Sequence, residues 1–139
     1  MVILLKGFSS MDITNSKISE MSDLVSRIFL ACTAVGAFRK ELEEADKGML
    51  DYMLNAAETL NTKFASIISQ PQASDPGFDL NREERHDLRN NITAVLGFGE
   101  LLLQCYSEPS VMIQQLDRLR GDSKRFTELT MPPPEVVSA

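Results

Sequence analysis

The chain has 139 residues, a net charge of −6 and a hydrophobic fraction of 43%, the size and balance of one ordinary globular domain. Seven glycines and six prolines exclude a collagen-like or linker-dominated chain. Residues 1–75 and 76–139 each carry seven basic and ten acidic residues, so neither half has the basic surplus of a nucleic-acid binder.

The opening MVILLKGF is apolar, but it is too short for a signal peptide and has no basic region before it. The longest mostly apolar run, residues 28–38, is about half the length of a membrane span, so no membrane insertion is expected. Cys32 and Cys105 lie far apart and match no metal spacing. Both read as reduced core residues, as in a cytoplasmic protein.

Four helical patterns follow. The first runs from about Asn15 to Asp46, with Ile18, Met21, Val25, Ile28, Cys32, Val35 and Leu42 on a seam of alternating three- and four-residue steps broken only by Arg39. Leu24, Ala31 and Phe38 widen that stripe beyond a coiled-coil seam and suit a bundle. Lys47-Gly48 offers a stop. The second pattern runs from Met49 to Ser69, with Met49, Met53, Ala56, Leu60, Phe64 and Ile67 on one face. Gln70-Pro71 ends it, and residues 71–79, with proline and glycine and little that could pack, read as a linker.

Asn81 with Glu84 three residues on predicts a capped start to the third helix, which runs to about Tyr106. Leu88, Ile92, Val95, Leu96, Leu102 and Leu103 form its stripe. Pro109 opens a fourth helix with Met112, Leu116, Leu119, Phe126 and Leu129 on its face, closed by the prolines after Met131. The expected fold is therefore all-α: four long helices in a helical hairpin or four-helix bundle. The expected organisation is a helical pair over 1–70, a linker over 71–79, a hairpin over 80–131 and a proline-rich tail over 132–139. A lone hairpin cannot cover its own two apolar stripes, so a homodimer is expected unless the first two helices supply the second layer.

The chain holds one histidine, His86. At about 100° per residue, Arg82, Arg89, Asn90, Thr93, Gly97 and Glu100 share its side of the helix, while Leu88, Ile92 and Val95 lie opposite. An exposed, neutral imidazole is a nucleophile. Asp87 is adjacent and could orient the ring, Asn90 stands one turn on, and Arg85 and Arg89 flank the site with charge suited to a phosphoryl group. The carboxylates at 41, 43, 44 and 46 read as a solvated helix end, with no metal site implied. The methionines at 21, 49, 53 and 112 read as core.

The run HDLRNNITAVLGFGELLLQ, residues 86–104, resembles the H-box of sensor histidine kinases: His, an acidic residue, two variable residues, Asn or Thr, proline, then an apolar stretch. His86, Asp87, Asn90 and the segments Leu96-Gly97-Phe98 and Glu100-Leu101-Leu102 match. Asn91 stands where that family usually has proline, which bears on the kink expected there. The resemblance covers about residues 80–131 and implies a dimerisation and histidine-phosphotransfer hairpin. His86 would accept the phosphoryl group, Asp87 would be its acid/base partner, and Asn90 would position water for dephosphorylation. The partner implied is a response-regulator receiver domain, which would bring its own Mg²⁺. No other cofactor is implied. The eight residues after 131 hold no ATP-binding domain and no glycine-rich nucleotide box occurs, so phosphotransfer without self-phosphorylation is expected. A second family, the monomeric phosphotransfer domains with His-x-Leu-Lys-Gly, shares only Leu88 and the basic Arg89, with Asn90 in place of glycine. The alternative reading is a non-catalytic helical scaffold or regulatory domain with a vestigial H-box, possibly part of a larger signalling protein.

Overall fold

A computed structural model describes residues 15–132; the opening residues 1–14 and the tail from 133 onward lie outside the described residues. Four α-helices account for most of it: α1 (Ser16–Gly36), α2 (Glu44–Ile68), α3 (Arg82–Cys105) and α4 (Ser110–Thr130). Short 3₁₀ turns at Arg39–Glu41 and Pro71–Ser74 lie in the first two connections. Among the described residues there is no strand.

Each helix packs antiparallel on two others, in the ring order α1–α2–α3–α4 and back to α1. One core runs through all four. Met21, Val25 and Ile28 of α1 meet Met53, Leu60 and Phe64 of α2, with Leu88, Ile92 and Val95 of α3 and Met112, Leu116 and Phe126 of α4. Phe64 and Phe126 pack edge to face, their centroids 6.3 Å apart. Leu88, Ile92, Val95 and Leu102 of α3 and Met112, Leu116, Leu119 and Phe126 of α4 are buried within one chain, because α1 and α2 provide the second layer, while Leu96, Leu103 and Leu129 are half-buried. The packing argument for a second copy therefore falls away. No described helix is long and apolar enough to cross a membrane.

The first two helices divide differently from the sequence pattern. α1 stops at Gly36, and α2 begins at Glu44, so Gly48 is an interior helical residue and not a stop. Leu42, seven residues after Val35, stays in the heptad register and is buried, but from an extended backbone after the 3₁₀ turn. Gly36 lets α2 approach closely: a Cβ there would meet Leu54 Cδ1 at 3.3 Å. Tyr106, the C-cap of α3, locks this connection. Its hydroxyl accepts from Glu43 N at 2.8 Å and donates to Asp46 Oδ2 at 2.6 Å. That bond to Asp46 raises the phenol above its ordinary range.

Most of residues 71–79 are exposed, but two of their side chains pack. Ala73 is buried and Phe78 lies against the core. Asn15 grips the segment with one side chain. Its Oδ1 caps α1 by accepting from Ile18 N, while its Nδ2 donates to the carbonyls of Asp75, Pro76 and Phe78. Lys17 adds an ion pair to Asp79 at 3.0 Å.

Of the cysteines, Cys32 is buried and its thiol is pushed up to about 12 by desolvation, but Cys105 is exposed. The inward stripe of α3 runs Leu88, Ile92, Val95, Gly99, Leu102, and its next position is Tyr106. Cys105 falls about 100° to the side.

Candidate functional site

The site sits where α3 begins and α4 ends. Asn81 fixes the start of α3 with a full capping box: its side chain accepts from Glu84 N at 2.8 Å, and Glu84 Oε1 accepts from Asn81 N at 2.9 Å. That sets the phase of the helix. His86 then falls on the solvent side of the first turns, with Leu88 and Ile92 fully buried on the other. α3 runs unbroken through Asn91, which retains the N–H that a proline would lack and whose side-chain amide donates to Asp87 O at 3.1 Å.

Asn90 is the residue that meets the imidazole. Its Nδ2 lies 3.3 Å from His86 Nε2. With the amide as donor, Nε2 carries the lone pair and the proton resides on Nδ1. Asp87 does not reach the ring. Its side chain turns toward α2, into a small cavity of about 190 Å³ shared with Lys63, Ser66, Ile67 and Glu84. Adjacent helical positions diverge by about 100°, so the sequence neighbour of His86 faces a different groove.

The two flanking arginines are held by main-chain carbonyls. Arg85 Nη1 donates to Leu80 O at 2.7 Å, and Arg89 Nη2 donates across to Thr130 O, the last helical residue of α4, at 3.0 Å. With Arg82, Glu83, His86 and Pro132 they line an open cleft of about 660 Å³. His86, Asn90, Arg85 and Arg89 thus form one site, and Asp87 stands apart from it. Arg82 was legible as a residue on the histidine's face. Thr130 and Pro132 were not, because their place depends on the register between α3 and α4.

Comparisons of the chain with protein-family models, curated proteins and solved structures return no match. The functional reading therefore rests on the site.

The solvent face of α3 continues from His86 through Asn90 and Thr93 to Gly97. A Cβ at Gly97 would meet nothing within 4 Å, so the surface there is open and low. Gly99, on the inner face, is the opposite case: a Cβ would stand 3.3 Å from Leu119 Cδ2. Among the described residues, no His, Cys, Asp or Glu group is arranged to hold a metal ion.

Proposed function

We propose that this chain is a histidine-phosphotransfer module, with His86 as the phosphoacceptor exchanging phosphoryl groups with receiver domains of response regulators. The observation that carries this reading is the placement of the sole histidine. It is exposed, hydrogen-bonded among the described side chains to Asn90, and it lines a cleft with three guanidinium groups.

In the proposed transfer, Nε2 attacks the phosphorus of an aspartyl phosphate on the receiver. The N–P bond forms, the acyl O–P bond breaks, and the receiver's carboxylate leaves. The Nδ1 proton stays on the ring. Asn90 yields Nε2 and can then donate to a phosphoryl oxygen, while Arg85 and Arg89 offset the negative charge. The metal belongs to the receiver. A single-chain four-helix bundle can present this histidine, so the transfer does not require a second copy.

The test is incubation with phosphorylated receiver proteins. Acid-labile, base-stable phosphate should appear on the wild type and be absent from His86→Gln. One observation favours the rival reading, a scaffold with a vestigial H-box: Asp87, the residue the resemblance makes the acid/base partner, faces away from the ring. If no receiver phosphorylates the wild type, the scaffold reading stands.

A further inference from the structure

Seven of the eight arginines fall into two groups by what holds them; the eighth, Arg118, is exposed on α4 with no ion pair among the described residues. Arg27, Arg39, Arg120 and Arg125 each pair with a carboxylate: Asp122, Asp51, Asp117, and both Glu20 and Glu128. Arg82, Arg85 and Arg89 have no carboxylate partner among the described residues, and all three line the same cleft. In a chain with 20 acidic residues and a net charge of −6, three arginines without a carboxylate partner are gathered in one cleft.

The way Arg85 and Arg89 are anchored sharpens the point. A carboxylate partner both orients and neutralises a guanidinium, whereas a backbone carbonyl orients it and leaves the positive charge intact. Arg85 is fixed by Leu80 O and Arg89 by Thr130 O, so each retains donors for another acceptor. Arg89 Nε is buried and has no acceptor from the protein. Three guanidinium charges against the carboxylate of Glu83 leave a surplus of two, the charge of a phosphate dianion. The cleft, about 660 Å³, has room for a small phosphorylated molecule.

We propose that the cleft between the start of α3 and the end of α4 is a binding site for a phosphate dianion on a small soluble molecule, either inorganic phosphate or a phosphomonoester, held by Arg82, Arg85 and Arg89. The site does not require His86 to be a phosphoacceptor.

NMR titration of the full chain tests this, at a pH near 8 where phosphomonoesters are dianions (second pKa about 6). The probes are inorganic phosphate and phenyl phosphate, with sodium chloride at matched ionic strength as control. Saturable shifts should appear at the amides of residues 82–89 and at the arginine Nε–H signals with both phosphate probes and not with chloride. The tighter probe tells free phosphate from phosphomonoester. Arg85→Gln should weaken binding about tenfold, the scale of one charge-assisted hydrogen bond. Arg82→Gln should weaken it as well. The Arg82 side chain makes no hydrogen bond or ion pair to any described residue, so that variant keeps its fold even if Arg85→Gln does not. His86→Gln should still bind, which separates this result from that of the receiver assay. Shifts that grow linearly with phosphate, that chloride reproduces, or that survive both arginine substitutions would overturn the proposal.

Discussion

The two faces of α3 are built from the same 24 residues and serve opposite ends. The inner face, Leu88, Ile92, Val95, Gly99 and Leu102, is buried and meets both neighbouring helices. The outer face, with His86, Asn90, Thr93 and Gly97, is open to solvent and carries the only imidazole. One face holds the bundle together while the other is left free for chemistry. The difference teaches that a substitution on this helix should register in either stability or activity, according to its phase.

The largest effect that checks this contrast is on the inner face. Ile92→Ala removes a fully buried side chain and should cost about 2–5 kcal/mol, read from denaturant unfolding with an unchanged slope. Asn81→Ala breaks the capping box that sets the phase of both faces, and should cost about 1 kcal/mol in the same measurement.

The two glycines make a matched pair. Gly97→Ala replaces a poor helix former in open space and should stabilise by up to about 1 kcal/mol. Gly99→Ala gains the same propensity but must displace Leu119 Cδ2 from 3.3 Å, so its benefit should be smaller or reversed. Equal gains at both positions would break the comparison. His86→Gln should change stability by less than about 0.5 kcal/mol while abolishing phosphate acceptance. A loss of several kcal/mol there would make the histidine structural.

Acid gives the smallest and most selective effect. Arg125 holds the Glu20 carboxyl below its ordinary range, chiefly through their hydrogen bond. Arg39 does the same for Asp51, and Lys47 for Glu44. A carboxylate whose pKa is depressed by folding stabilises above its unfolded value, about 4.3 for Glu, and loses that contribution as pH falls through the folded value. Stability should therefore decline on acidification below that value. Arg125→Gln should flatten part of the decline. Arg85→Gln should leave it unchanged, since Arg85 is held by a carbonyl that does not titrate.

The all-helical class and both ends of α3 and α4 were legible in the sequence because local chemistry marks them: Asn81 with Glu84 at one start, Pro109 at the other, and the prolines beyond Met131. The break between α1 and α2 was not. Apolar spacing reports burial and says nothing of backbone conformation, so Leu42, buried from an extended segment, carried the pattern across a gap. The anchoring of the 71–79 segment was not legible either. What packs it is the Asn15 amide, reaching carbonyls about sixty residues away, and no local composition announces such a bond. At the site, a helical wheel was enough to put His86 in solvent beside Asn90. It could not say that Arg89 would be tied to the end of α4 or that Asp87 would turn toward α2.

The covering of α3 and α4 by α1 and α2 has a thermodynamic corollary. When a core is completed by a second copy, folding is coupled to association, and the melting temperature rises with protein concentration. Here the described core is filled from one chain, so the bundle does not need a second copy to complete it. Its melting midpoint should not move on dilution across several decades. A midpoint that falls on dilution would instead show that a second copy contributes to the fold.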